Sequence, residues 1–445
     1  MCSNIWQCRK LCLPLHPVTR RKLVNKKGMT TRLYDMLMCL LYALMRIVHR
    51  GHRLWLKPGG KTHRFVMGQQ GLLQHIADTF EGSDRPVCWV HASSLGEYGV
   101  ARPVVTELRR QGMAVVLTFF SPTAYKVLKN RRDAADHVYY LPLDTRQNVC
   151  RFLDTVKPQR AVFIISEYWI NYLHELRKRE IPTFLVSALI PSTSYLLKWY
   201  AKPIRRALRA ITTFMVLDKE SQANLAKMGF SNCTVTGNPL FDNALQTAQT
   251  DYSNDVVERF VGSHEEVFVA GSITDEHDLD IVAGFANSHP EMKFIMVPHE
   301  ISLELLSTIE QRCQGTSVRH SACQDHTSLD TAQILIIDFV GALARIYRYG
   351  KYAYVGGGFT KYLHSVIEPV VYGQPVSFGP NIQRKVTPRQ MVSLGIGAVV
   401  TTADELEQWH SRVNGTHYDA VSRKAKDYAR HNGGATATIT KIIMR

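Results

Sequence analysis

The 445-residue chain is notable first for what it lacks. No CxxC pair occurs among its nine cysteines. Cys2, Cys8 and Cys12 lie near the start, and the rest stand singly. That spacing excludes a zinc-ribbon site and a disulfide framework, and fits a reducing compartment. No P-loop pattern occurs, no GxGxxG follows the first apolar run of either half, and no DxD stands where a sugar-nucleotide metal would sit. No apolar run is long enough to cross a bilayer. The longest, Met36–Met45, has ten residues and would reach about 15 Å as a helix, roughly half a hydrocarbon core. Asp35 and Arg46 close it on either side. No small-residue cleavage site follows it, which argues against a signal peptide.

What is present is a basic excess confined to one end. Of the net charge of +16, residues 1–64 supply +13, from 14 Lys and Arg against the single acid Asp35. Nucleic-acid binding would spread basic residues through the domains, so nucleic acid is not expected as a partner. An anionic membrane surface is. Arg32, Arg46, Arg50, Arg53 and Lys57 flank the apolar run, as in a helix lying partway into one leaflet. A buried core helix with a basic flank is the alternative. Residues 1–28 show no periodicity and read as a tail of unknown role; residues 29–64 read as the basic anchor helix.

From residue 85 the chain alternates short β-rich runs with amphipathic helical stretches. The first series is VCWVHA (87–92), AVVLTF (114–119), VYYLPL (138–143), AVFIIS (161–166), TFLVSA (183–188) and TFMVLD (213–218). The second is VFVAGS (267–272), KFIMVP (293–298), QILIID (333–338), YAYVGG (352–357), PVSFGP (375–380) and GAVVTT (397–402). Such alternation predicts α/β architecture, with parallel sheets covered by helices on both faces. Two series predict two Rossmann-like domains, over 65–240 and 241–425, facing each other across a cleft. A C-terminal helix follows over 426–445, with a break at Gly433-Gly434. Ligands of parallel sheets bind at the carboxyl ends of the strands.

The first run ends in His91-Ala-Ser-Ser-Leu-Gly-Glu97, a flexible strand–helix junction carrying a carboxylate. Glu97 either balances its own helix dipole or serves as a general base for a hydroxyl nucleophile. Gly356-Gly357-Gly358 after a later run either makes a tight packing turn or offers backbone N–H groups to a phosphate. Glu167 is either a buried structural carboxylate or a second acid at the same strand ends. Asn238, at the join, is better placed to order backbone than to touch substrate.

Taken in order, these segments resemble the 3-deoxy-D-manno-octulosonic acid (Kdo) transferases. HASSLGE (91–97), TFFSPTAY (118–125), YLPLD (140–144) and SEYWIN (166–171) are similar to successive motifs of that family's first half. TVTGNPLFD (234–242), AGSITDEHD (270–278), DFVGALARIYRYGKYAYVGGGF (338–359) and HSVIEPVVYGQPVSFGP (364–380) are similar to those of its second. The resemblance runs from about Thr30 to Lys385. It implies a GT-B fold with an N-terminal membrane-associated helix at the cytoplasmic face of the inner membrane. The implied reaction is an inverting, cofactor-free and metal-independent transfer of Kdo from CMP-Kdo to a lipid A precursor, lipid IVA, in lipopolysaccharide core biosynthesis. The first domain would take the lipid and the second the nucleotide sugar.

By the same resemblance Glu97 is the base, with Ser94, Gly96 and Glu167 on the acceptor side. Ser272, His299, Gly341, Gly356, Gly357, His364, Ser365 and Glu368 hold the donor, with Glu368 on the ribose; as a bare helix-terminal charge Glu368 would have no such role. Three departures stand out. His299-Glu300 replaces an arginine segment, Ser365 replaces an asparagine, and Ala342 replaces a glutamate. A UDP-sugar enzyme of the same architecture, transferase or epimerase, is the first rival reading. A non-catalytic relative that binds lipid or nucleotide is the second.

Overall fold

The computed structural model describes residues 17–50, 59–80, 82–323, 327–360, 363–383 and 385–445, with side chains in the N-terminal helix only from Arg32 to Val48. The chain forms two compact units. One comprises residues 1–98 with 108–234, the other residues 99–107 with 235–445.

The first unit is built on a seven-stranded sheet in the order β3-β2-β1-β4-β5-β6-β7. The strands are β1 Val87–His91, β2 Ala114–Phe119, β3 His137–Tyr140, β4 Arg160–Ile164, β5 Thr183–Ala188, β6 Thr213–Val216 and β7 Cys233–Val235. Pairings from β3 through β6 are parallel. In β1, β2 and β5 every residue is buried, as expected of parallel strands covered on both faces. Trp89 anchors this core. Its ring packs 5.0–5.1 Å from those of Phe152, Phe163 and Tyr172, and its indole N–H donates to Thr118 Oγ1 at 2.9 Å. Truncating such an aromatic costs about 3–5 kcal/mol.

The second unit repeats the plan, in the order β10-β11-β9-β8-β12-β13-β14, parallel throughout. Here the strands are β8 Val267–Ile273, β9 Lys293–Pro298, β10 Ser317–Arg319, β11 Ile334–Ile336, β12 Tyr352–Val355, β13 Val376–Phe378 and β14 Gly397–Val399. Alternate residues of its strands feed two separate cores. Val267, Val269, Ile295, Ala353 and Val355 face one; Phe268, Ala270, Phe294, Tyr352 and Tyr354 face the other. That is the period-two geometry of a strand. The chain ends in two helices, Tyr418–His431 and Ala435–Met444, separated at Gly433-Gly434.

All twelve apolar runs are strands. Two further strands, β7 and β10, have three residues each, occupy sheet edges and are not fully buried, so they carry no apolar run. Strand order reverses between β1 and β4 in the first sheet and between β8 and β12 in the second. These switch points are where parallel sheets open a crevice at their carboxyl ends.

The N-terminal helix spans Pro17–Arg50 and so begins inside the stretch read as a tail. No helix among the described residues is long and apolar enough to cross a membrane. Leu33, Met36, Leu37, Leu40, Leu41, Leu44 and Ile47 are all exposed, at the three- and four-residue spacing of one helical face. The opposite side is bolted to the first sheet by polar contacts. Tyr34 donates to the buried Asp144 carboxylate at 2.8 Å, and Asp35 accepts from the Arg146 backbone N–H and from Asn171 Nδ2. Asp144 also receives the backbone N–H groups of Asn171 and Tyr172. Burial nevertheless holds its carboxyl up at about 7.

Candidate active site

At the first switch point, β1 delivers His91 and the loop Ala92–Ser94, and the helix Leu95–Arg110 begins with Glu97 in its first turn. The loop after β4 delivers Glu167. The fold thus brings Ser94, Glu97 and Glu167 together. Ser93 links the two carboxylates: its backbone N–H donates to Glu97 Oε2, and its hydroxyl donates to Glu167. Ser94 Oγ accepts from the Glu97 backbone N–H at 3.3 Å, so it caps the helix rather than facing a ligand. Gly96 is exposed, and a methyl group there would meet only Ser94 Oγ, at 3.9 Å.

The two carboxylates differ in state. Burial would raise Glu167, but His91, the Trp169 indole N–H (2.6 Å) and Ser93 outweigh it and hold the group below its ordinary value. Glu97 has fewer partners. Burial, and then the negative charge of Glu167, push it up to about 7. A pair of acids driven apart in this way is the usual signature of assigned acid–base roles.

A buried relay holds Glu167 in place. His91 Nε2 lies 3.3 Å from Glu167 Oε2, an electrostatic contact short of good hydrogen-bond alignment. His91 Nδ1 lies 2.9 Å from Thr118 Oγ1, which accepts from Trp89. His91 Nδ1 also lies 3.1 Å from the Thr118 carbonyl oxygen, so β2 holds the imidazole through both its backbone and its side chain. His91 and Thr118 lie within the HASSLGE and TFFSPTAY motifs, yet nothing in their spacing shows that β1 and β2 set them side by side.

The second switch point has the opposite character. Ser272, the penultimate residue of β8, lies in the left-handed region, at φ +56°. Thr274 Oγ1 lies 3.0 Å from His364 Nε2, and the rings of His364 and His299 pack at 4.0 Å. Burial, then His299 and the charge of Lys385, pull the His364 imidazole down to about 4, so it is neutral near pH 7. Ser272, His299 and His364 therefore converge, with Thr274 and Lys385 added by the fold.

Asp278 organises this region and escaped notice in the sequence. Fully buried, it accepts from Tyr354 Oη (2.7 Å) and from the backbone N–H groups of Gly357 (2.8 Å) and Thr274 (3.0 Å). It thereby ties the loop after β8 to the loop after β12. This corrects one expectation. The Gly357 N–H goes to Asp278 and the Gly356 N–H to the Gly271 carbonyl, so neither amide is free for a phosphate. A Cβ at Gly356 would strike the Ser272 carbonyl, and one at Gly358 the backbone of Gly379. The glycines are there for close packing.

Glu368 sits in the first turn of the short helix Ile367–Val371, beside Ser365. Burial raises its carboxyl, and Oε2 is buried without a hydrogen-bond partner. Gly341 stands on an exposed loop at φ +98°, next to the exposed Val340, with open space around it.

Comparison with known proteins agrees with this plan. Residues 64–243 match the family model for 3-deoxy-D-manno-octulosonic-acid transferase (kdotransferase). The chain is 27% identical to a 3-deoxy-D-manno-octulosonic acid transferase of Aquifex aeolicus over 301 residues, which are 66% of this chain and 75% of that protein. It is 26% identical to the Haemophilus influenzae protein of the same name over 346 residues, 72% of this chain and 77% of that one. In fold it is similar to UDP-GlcNAc 2-epimerase from Neisseria meningitidis, with a TM-score of 0.58 and 14% identity, covering 81% of this chain and 99% of the other. In fold the chain is of the GT-B type, and over residues 64–243 it is similar to the 3-deoxy-D-manno-octulosonic acid transferase family.

Proposed function

We propose that this protein transfers Kdo from CMP-Kdo to a lipid A precursor of the lipid IVA type, with inversion and with Glu97 as general base. The observation that carries the proposal is the carboxylate pair at the first switch point. A base must be ionised yet basic enough to accept a proton, and a group held at about 7 beside a second, anchored carboxylate meets both demands.

In this reading an acceptor hydroxyl gives its proton to Glu97. Its oxygen forms a bond to the anomeric carbon of Kdo while the bond from that carbon to the CMP phosphate oxygen breaks. The departing phosphate gains charge. Thr274, His299, His364 and Lys385 are the groups suited to receive it, and their neutral or cationic character supports a metal-independent departure. The Glu368 carboxylate is suited to ribose hydroxyls. The test is mass spectrometry of products after incubation with CMP-Kdo and tetra-acylated lipid A precursor. A mass gain of one or more Kdo residues is expected. No gain with CMP-Kdo, or a gain from a UDP-sugar instead, would overturn the assignment.

We further propose peripheral attachment to an anionic membrane through the exposed leucine stripe of the N-terminal helix. The stripe is apolar, the segment around it is basic, and the helix is too short in apolar length to span. Leu37→Glu with Leu40→Glu should reduce co-sedimentation with anionic vesicles at least tenfold. Unchanged sedimentation would refute the attachment.

A further inference from the structure

At the amino ends of the strands of the second sheet, opposite the strand ends just described, lies a cavity of about 560 Å³ lined by Glu266, His289, Glu291, Glu407 and His410, among others. Glu266 immediately precedes β8, and His289 and Glu291 lie in the short turn that leads into β9. Glu407 and His410 lie one turn apart on the helix Ala403–Val413. His289, Glu407 and His410 each present a ligand atom, and these atoms all lie within 4.8 Å of one another. Among the described residues this is the one group of His, Cys, Asp or Glu with that property.

Two independent details mark the group as more than a surface cluster. First, His410 is 5% exposed, and its Nε2 is buried with no hydrogen-bond partner. An orphaned imidazole nitrogen in a carboxylate-lined cavity lacks something to bind. Second, His289 is held as a metal-ligating histidine would be. Glu291 Oε1 accepts from Nδ1 at 2.8 Å, which fixes the ring and directs Nε2 at Glu407, 2.5 Å away.

We propose that His289, Glu407 and His410 form a divalent-cation site of the zinc class. Two imidazoles and one carboxylate are the donor set that favours zinc over magnesium or calcium. Tetrahedral ligands at zinc stand about 3.3 Å apart, given bonds of about 2.0–2.1 Å. The cluster needs only side-chain adjustment to reach that spacing, with the His289 Nε2 proton released. The ion clamps the helix Ala403–Val413 to the segment that enters β9. It lies at the amino ends of the strands, so it stabilises the second unit and takes no part in transfer.

The experiment is ZnCl2 binding to the purified full-length chain by equilibrium dialysis, with melting temperature read in parallel. The intact chain should take up one zinc that is absent from both His410→Phe and His289→Gln, and its melting temperature should rise with zinc while those of the two variants do not. Glu291→Gln should weaken binding about 10–100-fold by loosening the ring it orients. Far-UV circular dichroism without zinc checks that each variant is folded. Less than 0.2 zinc per chain, or equal uptake by wild type and both variants, would overturn the site. A chelated chain that loses Kdo transfer while staying folded would overturn its separation from the chemistry.

Discussion

The two sheets are near-copies in plan and opposites in chemistry. Each reverses strand order once, and each gathers its polar residues at that reversal. At the first reversal the gathered groups are acids, Glu97 and Glu167, anchored by His91, Trp169 and Ser93. At the second they are His299, His364 and Lys385, and a buried acid behind them, Asp278, is committed to holding the loops, while Glu368 stands beside Ser365. In the proposed reading the same topology carries a proton acceptor in one unit and an anion receptor in the other. A glycosyl transfer from a nucleotide needs both. Fold supplies the positions; the residues on four loops decide the role.

The sharpest way to break this contrast is to remove charge from the acidic side. Glu97→Gln should lower kcat by about 10²–10⁴-fold, the usual contribution of a general base. The variant must not simply unfold, and linkage says it will not. A carboxyl pushed up to about 7 favours the fold fully below its unfolded value near 4.5 and loses that contribution as pH rises through 7. The ionised form is the costly one. Glu97→Gln should therefore melt no lower than wild type at pH 8, and by calorimetry somewhat higher. Wild-type kcat in this variant would refute the base; a large fall in melting temperature would move Glu97 to a structural role.

The second prediction probes the cationic side and is smaller. His364→Ala should raise the KM for CMP-Kdo about tenfold, the loss of one charge-assisted hydrogen bond. It should leave the acidic limb of the pH profile in place. In the free protein His364 sits at about 4 and is neutral through the working range. A bound phosphate raises it, so binding takes up a proton and affinity falls as pH rises. Titration calorimetry in two buffers of different ionisation heat measures that uptake. Equal apparent heats in both would mean His364 stays neutral in the complex.

Much of this was legible in the residues, and the remainder was not for definable reasons. Fully buried parallel strands read as unbroken apolar runs, so β1, β2, β5, β8 and β9 were visible, whereas β7 and β10 at the edges were not. Glu97, Glu167, His299 and His364 were legible as motif members. That Glu167 raises Glu97 was not, because it depends on β4 pairing beside β1. Asp35 looked like an interruption of an apolar run, yet it and Tyr34 tie the helix to the sheet across more than a hundred residues of sequence. Between a packing turn and a phosphate cradle at Gly356 and Gly357 the sequence could not choose, because it shows that an amide exists, not where its hydrogen bond goes.

The finest test of the contrast lies within the acid pair. Glu167→Gln keeps the side-chain volume and an oxygen that can accept from Trp169, but it removes the negative charge facing Glu97. Burial, the larger cause of the Glu97 shift, stays; the Coulombic part goes. The Glu97 carboxyl should then titrate on the order of one pH unit lower. The acid limb of kcat against pH moves down with it, so the variant keeps a larger share of its activity at pH 6 than wild type does. At pH 8 both bases are ionised, and the weaker base of the variant should cost less than about tenfold. A merely structural Glu167 would depress activity at every pH alike. An unshifted limb would therefore place the whole perturbation of Glu97 in its burial and leave the second carboxylate outside the acid–base chemistry.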